Sequence, residues 1–399
     1  MNNIYVIGTC DTKYDELKFV KDIVENGGVT ALLVDVGIKT HNNKVDITNK
    51  EVSACHPFDK DFLSRVDDRG EAVSLMAESL EEFLKQREDV SGVIGLGGSG
   101  GTSIVTAGMR VLDIGIPKVM VSTVASGNVA PYVGPNDICM MYSVTDVAGL
   151  NRISKKVFSN AANAVAGMVR FKKYKADFEK PAIGMTMFGV TTPCVDAVRK
   201  QLEKDYDCLV FHATGTGGQS MEKLLDSGML SGIIDISTTE ICDLHMGGVM
   251  SAGEDRLGAV IRTKKPYVGS VGALDMVNFG AKETVPERYK TRNLYEHNPQ
   301  VTLMRTTPEE NKQMGEWIAE KLNRCEGEVC FLIPEKGVSM IDAPGMPFYD
   351  PEADKALFDA IEENFNQTDS RRLLKLPYHI IDKEFADELV KNFLEIINN

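Results

Sequence analysis

Uninterrupted apolar runs alternate along this chain with stretches in which apolar side chains recur every three or four positions. Ile4–Ile7 predicts a strand, Leu17, Val20 and Val24 lie at helical spacing, and "ALLVDV" at 31–36 predicts a second strand. Val73, Met76, Leu80 and Leu84 mark an amphipathic helix; "GVIGL" then reads as strand, 102–113 as helix and "PKVMVS" as strand. An apolar run without alternation fits a strand covered on both faces. The strand–helix rhythm predicts a parallel sheet with right-handed crossovers. A long helix is expected over 149–170, with Leu150, Ile153, Val157, Ala164 and Met168 on its apolar face.

The charged stretch "FKKYKADFEKP" follows, and a domain boundary is placed there, giving domains 1–178 and 179–399. The pattern then restarts. "PAIGMTMF", "DCLVFH" and "GIIDIS" read as strands, and 219–228 as a helix. Thr192 as N-cap with Pro193 at the first helical position predicts a helix start. Thr307-Pro308-Glu309-Glu310 reads as a capping box. Further helices are expected from Asp350-Pro351 and over 383–397. The predicted class is α/β: two Rossmann-like subdomains, each a mostly parallel sheet flanked by helices, with a cleft between them. Two internal echoes support related halves. "GVIGLGGSGGTS…PKVMVSTVASGNV" aligns with "DCLVFHATGTGGQS…GIIDISTTEICDLHMGGV", and "VIGTCDTKYDEL" aligns with "MTMFGVTTPCVDAV".

Charge narrows the partners. Lys plus Arg is 44 against 58 Asp plus Glu, a net charge of −14 over 399 residues. An acidic surface repels nucleic acid and anionic membranes, so neither is expected. The eight cysteines include no Cys-x-x-Cys pair, so no structural zinc, disulfide framework or other metal site is expected. The N-terminus reads as a strand without a basic lead-in, and no run approaches the ~18 apolar residues of a membrane helix. A cytoplasmic protein is the expectation.

Candidate chemistry begins at the glycines. "GLGGSGG" places five glycines in seven positions, Gly95 to Gly101, where a strand gives way to a helix. In open parallel sheets, ligands sit at the carboxyl ends of strands, near helix N-termini. There the free amides suit a phosphate or carboxylate, and glycines allow close approach. Gly97, Gly98, Ser99, Gly100, Gly101 and Thr102 are the candidate cradle. In "GTCDTK", Asp11 or Thr12 is a possible N-cap, and Thr12 and Lys13 are expected beside the cradle. Ser122, Thr123 and Ser126 of "STVASGNV" are expected to line the pocket. "GLGGSG" satisfies G-x-G-x-x-G at Gly95, Gly97 and Gly100, but the next strand ends in Ser122-Thr123 rather than an acid, so a dinucleotide fingerprint is only half present. No P-loop sequence occurs.

The second half holds more titratable groups. "STTEICDLHMGG" places Glu240, Asp243 and His245 together, as a metal or acid–base cluster or as one helical turn with a capping Glu. Asp275, Arg292, His297 and Arg305 follow in polar stretches. The two arginines either hold an anion or pair with the abundant acids.

Eight motifs, in order, resemble the Tm-one-like ATP-binding family over essentially the whole chain. They are "IGTCDTKYDEL", "GLGGSGGTS", "STVASGNVAPYVG", "HATGTGG", "STTEICDLHMGG", "GALDMVNFG", "RNLYEHNPQVTLMRTTPEE" and "GVSMIDAPGMPFYDPEAD". That family includes bacterial proteins and the N-terminal region of a plant protein that inhibits tomato mosaic virus replication. The resemblance implies two α/β subdomains, ATP as ligand (with Mg a possibility) and homodimerisation. The plant protein carries a further domain similar to TIM barrels, so a separate TIM-barrel partner is implied. No family reaction is carried over. The leading expectation is a nucleotide-binding protein. Two alternatives stay open. One is an enzyme acting on a small carboxylated or phosphorylated metabolite between the domains, using Glu240, Asp243, His245, Asp275, Arg292, His297 and Arg305. The other is a non-catalytic regulatory module.

Overall fold

The computed structural model describes residues 3–171 and 180–398. It divides into two compact units, Met1–Ala176 and Asp177–Asn399. The boundary expected at 178/179 lies outside the described residues.

Unit 1 runs β1 (Asn3–Gly8), α1 (Cys10–Asn26), β2 (Ala31–Asp35), α2 (Asn49–Ser53), α3 (Arg69–Lys85), β3 (Val90–Gly97), α4 (Ser99–Val111), β4 (Lys118–Ser122), α5 (Ala130–Val133), β5 (Cys139–Tyr142) and α6 (Arg152–Arg170). Its sheet is parallel throughout, in the order β2-β1-β3-β4-β5. Alternate residues of each central strand feed opposite cores. Ile4, Val6, Ile94 and Leu96 meet Leu17 and Val20 of α1 and Phe158 and Val165 of α6. Tyr5, Ile7 and Val93 meet Met76 and Leu80 of α3 and Ile104 and Met109 of α4. These strands read as unbroken apolar runs because both faces are covered.

Unit 2 runs β6 (Ala182–Met187), α7 (Thr192–Leu202), β7 (Asp207–His212), α8 (Thr216–Asp226), β8 (Gly232–Ser237), α9 (Glu240–Met246), α10 (Gly258–Thr263), β9 (Tyr267–Gly272), β10 (Met276–Phe279), β11 (Leu294–Asn298), β12 (Val301–Arg305), α11 (Pro308–Asn323), β13 (Val329–Pro334), α12 (Pro351–Asn364), β14 (Arg371–Leu376) and α13 (Lys383–Ile397). A second parallel sheet has the order β14-β13-β9-β8-β6-β7. A small antiparallel sheet, β10-β12-β11, was not anticipated. Its strands come from the stretches read as polar loops.

Several local expectations are corrected. Helix α4 begins at Ser99 rather than 102, so Gly100 and Gly101 lie inside its first turn. The N-cap of α1 is Thr9, not Asp11 or Thr12. The N-cap of α7 is Thr191; Thr192 already has helical angles and Pro193 is second. Helix α8 starts at Thr216 rather than 219. Helix α6 buries Phe158, Ala161, Ala162, Val165 and Ala166, while Ile153 and Met168 are 38% and 45% exposed. Both sets satisfy the helical period. The face with Phe158 and Val165 wins because it meets Ile94 and Leu96 of the sheet in one core.

Topology also re-registers one echo. In unit 1 the strand order reverses between β1 and β3; in unit 2 it reverses between β6 and β8. Strands β1 and β6 therefore correspond, as their sequences suggested. The two glycine loops do not, because one follows β3 at the reversal and the other follows the edge strand β7.

Candidate functional site

A cavity of about 750 Å³ opens in unit 1 at the carboxyl ends of β1 and β3. Neighbouring strands whose connections leave in opposite directions leave a crevice there, the usual ligand position in such sheets. One wall is Thr9, Asp11, Thr12 and Lys13 from the start of α1, and another is Gly98, Ser99, Gly100 and Gly101 from the start of α4. Ile38, Leu63, Val66, Val73 and Ile104 give an apolar side, while Lys39 and Arg69 bring cations.

The cradle is built locally by glycine. Gly98 is the N-cap of α4 and supplies no side chain to cap it. The first amides of a helix have no intrahelical acceptor, which leaves those of Ser99, Gly100 and Gly101, three lining residues, as donors at the cavity. A Cβ on Gly97 would sit 3.0 Å from the Gly101 Cα, so Gly97 serves close packing of β3 under the helix. A Cβ on Gly100 would meet only Val73 at 3.9 Å and the Arg69 Nη2 at 4.0 Å. Gly100 is thus dispensable for packing, and its bareness keeps the cavity open.

The remaining expected residues divide. Thr102 is buried, donating to the Gly98 carbonyl at 2.8 Å and lying 2.6 Å from the Ser122 hydroxyl. Ser122 in turn accepts from the Val124 amide at 3.1 Å. These two brace the loop from behind. Thr123 is half-buried and Ser126 exposed, and neither is among the lining residues. Lys13 reaches the cavity, but its ammonium donates to the Val147 carbonyl. Arg69, at the first position of α3, was missed by sequence reading; "DDRGE" signals only a helix start. Asp35, at the end of β2, is a buried acid beside the start of α1. Its carboxylate accepts from the Cys10 and Gly37 amides at 2.9 and 2.8 Å and pairs with His41 at 2.7 Å.

The second glycine loop is closed. Glu240 Oε1 accepts from the Gly215 and Gly218 amides at 2.7 and 3.0 Å, and Oε2 from Arg256 at 2.9 Å. Arg256 also holds Glu222 and Asp235 at 3.0 and 2.8 Å, all within the core. Glu240 does cap a helix, but it is α8 and not its own. Burial pushes its carboxyl above the ordinary range.

The other candidates in unit 2 fall into separate groups. Asp243 is buried and accepts from the Asn278 amide and side chain at 2.8 and 2.7 Å; burial raises it to about 7. His245 stands edge-on to Trp317, and burial lowers its pKa. Asp275 accepts from Ser339 at 2.7 Å, and burial raises it to about 7. Arg305 donates to the Phe348 carbonyl at 2.7 Å and to Asp354 at 2.7 Å. Arg292 pairs through two bonds with Glu310 at 2.9 and 2.7 Å, and His297 is exposed on β11. None of these six side chains, nor Glu240, lines the unit 1 cavity. Among the described residues, no group of His, Cys, Asp and Glu could hold a metal ion, and no helix is long and apolar enough to cross a membrane.

Relatives cover the whole chain. It is 57% identical over 398 residues to UPF0261 protein RA0729 of Rhizobium meliloti, with 100% of both chains covered. It is 46% identical to the ToMV resistance protein Tm-1(GCR237) of Solanum lycopersicum, over 98% of this chain and 55% of the tomato protein. Among solved structures, a UDP-GlcNAc 2-epimerase of Methanocaldococcus jannaschii in complex with UDP-GlcNAc and UDP aligns over 100% of this chain and 93% of its own. Its identity is 8% and its TM-score 0.22, too low to carry an argument. Residues 2–174 match the N-terminal domain, and residues 180–397 the C-terminal domain, of the family described as uncharacterised protein family UPF0261, and the chain belongs to that family.

Proposed function

We propose that unit 1 binds a nucleotide, ATP being the reference ligand, with its phosphates on the first-turn amides of α4. The observation that carries this reading is the contrast between the two glycine loops. The loop at 215–218 is filled by the Glu240 carboxylate, whereas the loop at 98–101 borders a cavity of about 750 Å³. Helix-start amides suit an oxyanion, the protein itself puts one on the closed loop, and the open loop is left for a ligand. Arg69 supplies positive charge beside Gly100. The apolar side at Ile38, Leu63, Val66 and Val73 suits a base. Calorimetric titration of the full chain with ATP, with and without Mg, is the test. Saturable heat with a thermal shift supports the reading; neither effect up to millimolar nucleotide rejects it.

A further inference from the structure

Unit 2 buries three carboxylates around one guanidinium. Asp275, Asp342 and Asp354 are 0%, 0% and 6% exposed, and Arg305 is 4% exposed. One Arg305 nitrogen, Nη2, lies 2.7 Å from Asp354 Oδ1 and 3.7 Å from Asp342 Oδ1. Asp275 Oδ1 and Asp342 Oδ1 receive no hydrogen bond among the described residues. A single cation cannot neutralise three buried carboxylates, and an acceptor oxygen left without a donor in the interior is costly. Asp342 and Asp354 both approach that one nitrogen, and two carboxylates gathered on a single buried cation cannot both ionise readily; sharing a proton removes the repulsion and gives the orphaned oxygen a partner. Burial and then the neighbouring Asp342 push the Asp354 carboxyl upward, in agreement with the geometry.

Asp342 also fastens the segment 335–350, which follows β13. Its Oδ2 accepts from the Val338 amide at 2.8 Å, and its carbonyl accepts from the His379 Nε2 at 3.0 Å. Because the Ile381 amide donates to His379 Nδ1 at 3.2 Å, the ring proton sits on Nε2. Gly337, at φ +130°, makes this approach possible, since a Cβ there would lie 2.1 Å from the Asp342 carbonyl oxygen. The segment contributes Glu335, Lys336, Pro344 and Tyr349 to the lining of a second cavity of about 680 Å³, which Asp354 and His379 also line.

We propose that one proton shared between Asp342 and Asp354 clasps segment 335–350 over this cavity, and that the segment loosens when the proton leaves. The charged groups around the pair have fixed roles. Arg305 from β12 and Asp275 after β9 face it directly. Cys242 of α9 senses Asp275 and Arg305, and burial holds its thiol neutral. Lys355 and Asp359 of α12 pair with one another, as do Lys375 of β14 and Glu362, at 2.8 Å. Glu335, Lys336 and Asp382 line the cavity. Deprotonation leaves two facing carboxylates with only Arg305 between them.

Hydrogen exchange on the full chain reads this directly, as protection factors corrected for intrinsic exchange, from pH 6 to 9. Protection in 335–350 is expected to fall by about tenfold per pH unit in the wild type between pH 6 and 8 and to level off above, because the clasped segment keeps a proton that the open one releases, while strand β14 stays constant. Asp354→Asn, or Asp342→Asn should the first not fold, abolishes the fall. A flat wild-type profile, or the same fall in the variant, overturns the proposal. The wild-type arm stands even if neither variant folds.

Discussion

Glu240 Oε1 lies 2.7 Å from the Gly215 amide nitrogen, so a side chain of unit 2 occupies the place of an anion on its glycine loop. Removing that carboxylate leaves two buried amides and the Arg256 Nε without their acceptor. Glu240→Ala should therefore destabilise the protein by about 3–5 kcal/mol, the range for breaking a buried ion pair. Added sulfate should restore part of the loss by taking the vacated amides. Urea unfolding with and without sulfate decides it: an unaffected midpoint would show that the bond contributes little.

Gly100 separates packing from binding. With room for a methyl group in the first turn of α4, Gly100→Ala should raise stability by about 0.4–1 kcal/mol through the lost freedom of the unfolded chain. The same methyl intrudes on the cavity, and ATP affinity should fall about tenfold or more, the loss expected when a charged hydrogen bond is displaced. Thermal melting of the free protein and calorimetry with ATP read the two effects separately. Equal or tighter binding would refute this placement of the phosphates.

Two cations of the cavity should behave differently. Arg69→Ala should weaken ATP binding with little change in the melting temperature of the free protein. Lys13→Met loses the bond to the Val147 carbonyl, so its main effect should be on stability. The opposite pattern would return the phosphate-binding role to Lys13.

Asp243 predicts a pH dependence. Its folded-state pKa of about 7 lies above the unfolded value near ~3.9. The folded state thus holds a proton that the unfolded state releases. That contribution is complete below about pH 4 and is lost as pH rises through 7. Asp243→Asn removes the titrating group while keeping one acceptor oxygen toward Asn278, and should flatten this part of the stability profile between pH 4 and 8. Parallel wild-type and variant profiles would contradict the assignment.

The buried face of α6 can be checked by truncation. Phe158→Ala should cost about 3–5 kcal/mol, as for a fully buried aromatic. Ile153→Ala and Met168→Ala should each stay within about 0.5 kcal/mol, the usual range for exposed positions. Chemical denaturation of the three variants compares the faces; comparable losses at Ile153 would restore the face read from periodicity.

The chain's own pattern determined β1–β4 and β6–β8 of the two parallel sheets, because strands covered on both faces are apolar at nearly every position, whereas the edge strand β14, "RRLLKL", carries no such run. It also determined the helix starts at Thr307 and Asp350, where capping depends on residues three or four apart. Tertiary structure decided what local signals leave degenerate. Periodicity allowed two faces for α6, and packing of Phe158 and Val165 in the core under the sheet selected one. Glycine loops at 98–101 and 215–218 look alike in sequence. Only the strand order puts one at the β1/β3 crevice and brings Glu240, 25 residues from Gly215, onto the other. Arg69 reaches its cavity by the same route, since a cluster of charges is a property of space and not of spacing.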